Sequence, residues 1–362
     1  MLYRENGQFK TSYRADQQIF PIRQDRIAIG LLMLLAFVVL PLTASEYTFR
    51  AILTPTLILA LAAIGLNILV GYCGQISLGA GAFMAIGAYA AFNFTARIDG
   101  MPLVAALLLG GLCSTAVGIV FGLPSLRIRG LYLAVATLAA QFFTDWAFLR
   151  ISWLTNHSSS GSVSVAGLRA FGIDIDTPLR KYLFCLILVV LLALLAKNLV
   201  RSAIGREWMA IRDMDVAAAV IGIRPIVAKL SAFAVSSFLI GVAGALWGFV
   251  HLGSWEPAAF NLQRSFELLF MIIIGGVGSV LGSFLGAAFI VVLPIVLNVF
   301  VHGLNGLLQS TVQWSLPGSI TSNLELIVFG GLIIFFLIVE PHGLARLWQI
   351  GKEKLRLWPF PH

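Results

Sequence analysis

Charged side chains, the groups most able to do chemistry, are scarce in this sequence and gather in one interior segment. They make up 11% of the 362 residues. Residues 201–229 carry a run of them between two long apolar stretches. The run consists of Arg201, Arg206, Glu207, Arg212, Asp213, Asp215, Arg224 and Lys229. Its spacing matches no catalytic motif, so we interpret the segment as an aqueous helix suited to docking on a soluble partner.

The sequence lacks the residue patterns that support enzymatic chemistry. It contains no GxxxxGK[ST] phosphate loop, no GxSxG elbow and no His/Glu pair at helical spacing. The pair Gly351-Lys352 lacks the upstream glycine of a phosphate loop. Cys73, Cys113 and Cys185 show neither CxxC nor metal-site spacing, and we interpret them as packing residues. We therefore predict no enzymatic activity, no cofactor and no metal site in this chain.

Composition places the chain among polytopic membrane proteins. Hydrophobic residues make up 59% of it and the mean hydropathy is +0.95, whereas a soluble domain has about 25% charged residues. We expect an all-α bundle of membrane helices, because helices satisfy their own backbone groups in lipid. The net charge of +8 is interpreted as a topology signal in cytoplasmic loops, and we predict no nucleic acid partner.

The apolar runs predict about ten membrane segments, and glycine clusters break two regions among them. The first cluster lies in residues 71–91 and the second in residues 275–283. Residues 266–301 would measure about 54 Å as one helix, well beyond the roughly 30 Å hydrocarbon core. They should therefore form two segments that turn at the glycines. The glycines serve either ordinary close packing of helices or a broken helix whose exposed backbone lines a solute path.

Charge asymmetry predicts the orientation of the chain. Residues 201–229 should lie in water because charges are costly in hydrocarbon, and their Lys and Arg side chains favour the cytoplasm. We predict a cytoplasmic tail over residues 1–26, a membrane domain over 27–344 and a basic cytoplasmic tail over 345–362. Residues 150–181 should form an external loop. The protein is thus expected in the bacterial cytoplasmic membrane, crossing it several times with both termini inside.

Few ionisable residues fall within the apolar runs, and this bears on the source of energy for transport. Secondary carriers and ion channels usually carry paired charges at mid-membrane depth. The scarcity of such charges favours a transport subunit that is driven by a partner. A stand-alone carrier or channel is the alternative class, and a membrane scaffold or enzyme is a third.

Five segments of the chain resemble one transporter family. They are GQISLGAGAFMAIGAYAA at residues 74–91, RIRGLYLAVATLA at 127–139, IGREWMAIRDMDVAAAVIGI at 204–223, ELLFMIIIGGVGSVLGSFLGAA at 267–288 and EPHGL at 340–344. They occur in order over nearly the whole chain. In these segments the sequence is similar to the permease subunits of branched-chain amino acid ABC importers.

The resemblance implies partners and two sets of site residues. The partners are a second homologous permease subunit, two cytoplasmic ATPases that use the ATP, and an extracytoplasmic solute-binding protein. Residues 201–229 would dock on an ATPase through Gly205, Arg206, Ala210, Ile211, Arg212, Asp213, Asp215, Ala217, Ala218 and Gly222. A branched-chain or other hydrophobic amino acid would pass Gln75, Ser77, Gly79, Gly81, Gly275, Gly276, Gly278 and Ser279. Free backbone groups at the broken helices would bind its carboxylate and ammonium.

The sequence departs from the family at two places that bear on the cargo. Ala80 stands where the family often carries a polar residue, frequently His. The outer loop reads NHSSSGSVSV, at residues 156–165, in place of a Thr-Gly-Gly type motif. Relatives with the same motifs carry urea, short amides or aromatic acids, so these substrates stay open as alternatives.

Overall fold

The computed structural model describes residues 23–311, except 127, 129, 159, 166 and 171–172, together with residues 343–357. A few further positions are described at 11–12 and between 327 and 338. Most of the predicted amino-terminal tail, most of the predicted last span at residues 324–339, and the end of the predicted basic tail lie outside the described residues.

Helices make up most of the described chain, as predicted, and two short strand pairs accompany them. The helices are α1 (Arg26–Thr43), α2 (Glu46–Tyr72), α3 (Ala80–Arg97), α4 (Leu103–Leu126), α5 (Leu131–Arg150), α6 (Pro178–Arg201), α7 (Ala203–Val220), α8 (Pro225–Leu252), α9 (Leu262–Gly275), α10 (Val280–Thr311) and α11 (Gly343–Leu357). Strand β1 (Val163–Ser164) pairs antiparallel with β4 (Ser254–Trp255), and β2 (Arg169–Ala170) pairs antiparallel with β3 (Ile173–Asp174).

Eight helices within the described residues are long and apolar enough to cross a membrane. They are α1, α2, α4, α5, α6, α8, α10 and the segment Pro257–Gly275, which contains α9. The predicted count of about ten is therefore corrected to eight in this part of the chain. The segment that contains α3 was one of the ten, but α3 carries Asn93 and Arg97 and is not among the eight. The other, at residues 324–339, falls largely outside the described residues.

Helix α8 lies at the centre of the bundle, against α2, α3, α4 and α7. Glycines allow this close approach. A side chain at Gly87 would overlap the backbone of Gly241, and a side chain at Gly244 would overlap the backbone of Met84. Small residues are the usual means by which helix backbones approach one another in lipid. Part of the glycine content of the chain is thus explained by packing.

Both predicted breaks are present. Helix α2 ends at Tyr72, residues 73–79 are not helical, and α3 follows, while α9 ends and α10 begins on either side of a second turn. Gly74, Gly276 and Gly278 have φ angles of 70°, 123° and 80°. This is the region of backbone conformation that favours glycine, so the two turns account for the glycines at these positions.

Helix α3 follows the first break and helix α9 precedes the second, and these two helices begin side by side. The backbone N–H of Gly81 donates to Ser265 Oγ at 2.7 Å, and that of Ala82 donates to Gln141 Oε1 at 2.6 Å. Gln141 Nε2 in turn donates to the Phe260 carbonyl at 2.9 Å. One amide side chain of α5 therefore holds both helix starts together.

The predicted external loop, residues 150–181, is structured by its strands. The β1–β4 pair places Val163 opposite Trp255 and so joins this loop to the segment that leads into α9. The Tyr89 hydroxyl of α3 donates to the Gly161 carbonyl at 2.8 Å. The loop is thereby attached to both helices that begin at the centre of the bundle.

Candidate functional site

The segment that the sequence marks by its charges forms α7, which follows a sharp turn after α6. A side chain at Gly205 would overlap the Val200 carbonyl, so glycine permits the turn. Trp208 is fully buried, and its Nε1 donates to Ser231 Oγ on α8 at 2.9 Å. One face of α7 is therefore packed into the bundle, while the rest of its surface is open.

Helix α7 contains a break at Met214, whose φ and ψ are −162° and 99°. Beyond the break, the Asp215 carboxylate lies 3.6 Å from Lys229 Nζ on α8. The Lys229 side chain is only 4% exposed, and its Nζ also donates to the Ser125 carbonyl at 3.4 Å. A buried cation needs such partners, so Asp215 and Lys229 fix the second part of α7 to α8.

The ten predicted docking residues divide by exposure. Arg206, Arg212, Asp213, Ala217 and Gly222 are exposed, Ala210 and Asp215 are half-buried, and Gly205, Ile211 and Ala218 are buried. The buried three contact the rest of this chain, so their direct contribution in the structure is to packing. The docking role of the set stays a prediction.

Sequence reasoning missed the apolar part of this surface. Met214, Val216, Val220 and Ile221 are 65%, 64%, 83% and 76% exposed. Together they form what we call the apolar patch of α7. Clustered exposed apolar side chains mark interaction surfaces. The available signal was the presence of large apolar residues at the end of an otherwise charged segment.

Arg212 connects α7 to the first break. Its Nη1 donates to the Gly71 carbonyl in the last turn of α2 at 3.0 Å, and its Nη2 lies 2.9 Å from the Asp213 carboxylate. A side chain at Gly74 would come within 3.0 Å of Arg212 Cγ. The docking helix and the first glycine-broken region are therefore in direct contact.

Asn67, one turn before Gly71 on α2, connects the same region to the second break. Its Nδ2 donates to the Ser279 carbonyl at 2.9 Å and to Ser283 Oγ at 3.0 Å. Its Oδ1 accepts from the Gly278 N–H at 2.7 Å. Sequence analysis did not single out Asn67, although an amide within an apolar span is itself a signal of a polar contact between helices.

Six of the eight predicted path residues fall into two groups. Gly79 and Gly81 lie near the start of α9, where a side chain at either glycine would meet the Thr137 or Phe260 carbonyl at 2.8 Å or 2.6 Å. Gly275, Gly276, Gly278 and Ser279 lie at the other end of α9, beside Asn67.

The other two path residues, Gln75 and Ser77, are buried in the first break. Within the described chain, Gln75 Oε1 accepts no hydrogen bond. Close packing explains Gly79 and Gly81, and Asn67 organises the second group, so contact with a solute stays a prediction for all eight.

Comparisons with known proteins identify the family of the chain. Residues 48–337 match the family described as branched-chain amino acid transport system / permease component. The chain is 29% identical over 319 residues to the high-affinity branched-chain amino acid transport system permease protein LivM of Salmonella typhimurium. The alignment covers 82% of this chain and 69% of the relative. It is 28% identical over 349 residues to the protein of the same name from Escherichia coli, in an alignment that covers 90% of this chain and 76% of the relative.

A third relative is more distant. The chain is 23% identical over 249 residues to the probable branched-chain amino acid transport permease protein LivM of Methanocaldococcus jannaschii. This alignment covers 67% of this chain and 68% of the relative. No solved structure matches the chain. The family match extends over most of the sequence, from α2 beyond α10, and includes both breaks and α7. The chain belongs to the family of branched-chain amino acid transport permeases and is a multi-pass membrane protein.

Proposed function

We propose that this chain is a permease subunit of an ATP-driven importer, and that it forms part of the path for branched-chain or other hydrophobic amino acids. The proposal includes a second, homologous permease subunit, two cytoplasmic ATPases that hydrolyse the ATP, and an extracytoplasmic solute-binding protein. The names of the LivM relatives support the substrate class. The same machinery for urea, amides or aromatic acids is the alternative in substrate.

The observation that carries the proposal is the contact from α7 to the break after α2. The exposed part of α7 combines the apolar patch with Arg206 and Asp213, a mixture that suits a protein partner. Arg212 of α7 donates to the Gly71 carbonyl at the end of α2. Asn67, one turn earlier on α2, accepts from the Gly278 N–H in the turn after α9. A displacement of α7 by closing ATPases would reach both breaks and bias them between two arrangements.

The orientation in the proposal places α7 and α11 in the cytoplasm. Gly343, at the start of α11, packs against the Ile274 carbonyl and Gly276. This is the end of α9 that also lies beside Asn67 and Arg212, so α11 starts on the same side of the bundle as α7. Arg346, Lys352 and Lys354 on α11 add to the positive charge on that side, which favours the cytoplasm.

Copurification tests the proposal. The tagged chain is coexpressed with its genomic neighbours, extracted in mild detergent and purified, and the bound subunits are identified by mass. We expect two ATPases with the wild-type chain and their loss with Val220→Asp, which places a charge in the apolar patch. Arg169→Gln, on the external loop, is the matched control and should retain them.

The contrary result is equally specific. Purification of the chain alone, together with amino acid uptake into ATP-free liposomes, would establish the stand-alone carrier. Normal ATPase recovery with Val220→Asp would remove the apolar patch from the docking surface while leaving the importer in place.

A further inference from the structure

Helix α9 carries an ion pair inside a segment that is apolar enough to span the membrane. Arg264 Nη1 donates to Glu267 Oε2 at 2.6 Å, and both residues lie within Pro257–Gly275. Their side chains are 21% and 29% exposed. Charged side chains at membrane depth face a bundle interior, a water-filled cavity or another subunit rather than lipid. This face of α9 is therefore turned away from lipid in the assembled protein.

Two hydrogen-bond donors next to this ion pair have no acceptor among the described residues. They are Arg264 Nε and Trp247 Nε1, both buried. Trp247 as a whole is only 5% exposed, and the Arg264 guanidinium carbon lies 4.6 Å from the centre of its ring. Buried polar groups in folded proteins are normally paired. The two unpaired donors belong to stacked side chains, and a carboxylate has two oxygens to offer them.

A polar cavity lies beside His251, one turn after Trp247 on α8. Its volume is about 260 Å³, and its polar lining consists of Arg50, Thr54, Asp176, Lys181 and His251. The His251 ring lies 4.3 Å from the Trp247 ring, centre to centre, so the His251 side chain separates the cavity from the tryptophan. Arg50 and Lys181 favour the approach of an anionic group through this opening.

We propose that Arg264, Trp247 and Glu267 bind the charged head of the transported amino acid. The carboxylate accepts hydrogen bonds from the Arg264 guanidinium and Trp247 Nε1, and the ammonium group donates to the Glu267 carboxylate. The ion pair keeps both charges in place before the solute arrives. This assignment rests on the proposed function and deepens it, since it names the zwitterionic amino acid head, rather than the side chain, as the group recognised here.

The assignment explains why a neutral solute such as urea would be a poor cargo. Urea carries neither a carboxylate for Arg264 nor an ammonium group for Glu267. An amide lacks at least one of the two charges. The site therefore selects for α-amino acids among the alternative substrates, whatever their side chain.

The test uses the complete transporter, with ATPases and solute-binding protein, in proteoliposomes. Uptake of radiolabelled leucine and ATP hydrolysis stimulated by the loaded binding protein are measured in parallel. Trp247→Phe keeps the ring and removes one donor, and we expect its KM for uptake to rise about tenfold, the effect of one hydrogen bond to a charged group. Arg264→Gln and Glu267→Gln should lower uptake by at least a hundredfold while stimulated ATP hydrolysis persists.

Two further variants separate binding from structure. The exchange Arg264→Glu with Glu267→Arg restores an ion pair at the same spacing but reverses its direction, so we expect uptake to stay low. Arg97→Gln is the matched control, because Arg97 lies over Trp153 at 3.7 Å in a similar pair away from the site, and it should transport normally.

The outcomes are separable. Wild-type uptake by Trp247→Phe, Arg264→Gln and Glu267→Gln would overturn the assignment, and so would recovery of uptake in the exchange variant, which would show a purely structural ion pair. If Arg264→Gln fails to assemble, Trp247→Phe still decides, because it leaves the ion pair intact. Failure of the proposed function itself would appear in the wild type, as absence of ATP-dependent leucine uptake.

Discussion

At the scale of single residues, Arg212 is the side chain through which α7 contacts α2. Its guanidinium group reaches the Gly71 carbonyl through Nη1 and the Asp213 carboxylate through Nε and Nη2. This dual contact depends on the planar, forked shape of arginine, which lysine does not share. Arg212 lies on the surface that the sequence predicts for docking, yet half of its contacts point into the bundle.

We expect Arg212→Lys to uncouple ATP hydrolysis from transport. Lysine keeps the charge near Asp213 but cannot also hold the Gly71 carbonyl, so the change costs one charge-assisted hydrogen bond, about 2 kcal/mol. Uptake per ATP hydrolysed should fall about tenfold in the reconstituted transporter, while ATPases still copurify. Arg206→Lys is the control, since among the described residues Arg206 donates to the Arg201 carbonyl near its own turn and not to α2. Equal ratios for both variants would contradict the coupling role of Arg212.

Asn67 makes a prediction about stability. Asn67→Leu retains the size of the side chain but leaves the Gly278 N–H without its acceptor and removes the donor to Ser283 Oγ. The free energy of unfolding should fall by about 2 kcal/mol, the effect of unsatisfied buried polar groups. Thermal unfolding in detergent measures it. Asn298→Leu, at an exposed position where the side chain donates to Pro294 in its own helix, should change little.

At the scale of elements, the two breaks were predictable and the contact between the starts of α3 and α9 was not. The length of residues 266–301 and the glycines at Gly276 and Gly278 required a turn, because the chain is too long for one span and the turn needs positive φ. The contact between the starts of α3 and α9 depends on Gln141, far away in sequence. No local pattern indicates such a long-range contact, and a single sequence carries no information about which polar side chains meet.

The contact between α3 and α9 predicts the effect of a single methyl group. Gly81→Ala would place Cβ 2.6 Å from the Phe260 carbonyl and 2.9 Å from the Asn261 carbonyl, which is too close for any real contact. The two helix starts must separate, so we expect a lower thermal midpoint and at least tenfold weaker uptake. Gly30→Ala, in α1 with no atom of the described residues within 4 Å of the added Cβ, should match the wild type. A wild-type midpoint for Gly81→Ala would show that this contact is easily rearranged.

The apolar patch of α7 illustrates why the docking surface was only half predicted. Charges and small residues drew attention to the segment, because they are unusual in an apolar chain. The orientation of α7 decides which of them are exposed, and that orientation is set by Trp208 and by the Asp215–Lys229 pair with α8. These contacts lie outside the segment itself. The sequence could therefore locate the helix but not its exposed face.

At the scale of the whole molecule, composition predicted a helical membrane bundle, and the structure and family agree. The orientation of the chain in the membrane is open to a direct test with single cysteines, after replacement of Cys73, Cys113 and Cys185. A membrane-impermeant maleimide added to right-side-out vesicles should label Ser160→Cys on the loop of residues 150–181, and label Val216→Cys on α7 only after permeabilisation. Labelling of Val216→Cys in sealed vesicles would reverse the proposed topology.

Span counting fails at the whole-molecule scale for a physical reason. Helix α3 starts beside α9, and its polar residues bind within the protein. Asn93 Nδ2 donates to the Leu154 carbonyl and Arg97 to the Trp153 carbonyl. These polar side chains lower the mean hydropathy of α3, so the helix is not counted, whereas the equally sheltered but more apolar α2 and α8 are.

The pairing of β1 with β4 has a thermodynamic consequence. Strand β4 precedes α9, and the far end of α9 lies beside Asn67 and the contact with α7. A binding protein that engages β1 and an ATPase that engages α7 would thus act on opposite ends of one helix about 21 Å long. Coupling between two binding sites is reciprocal. The factor by which the outer ligand strengthens ATPase docking must equal the factor by which the docked ATPase strengthens outer binding. Measuring either affinity with and without the other ligand therefore determines both factors.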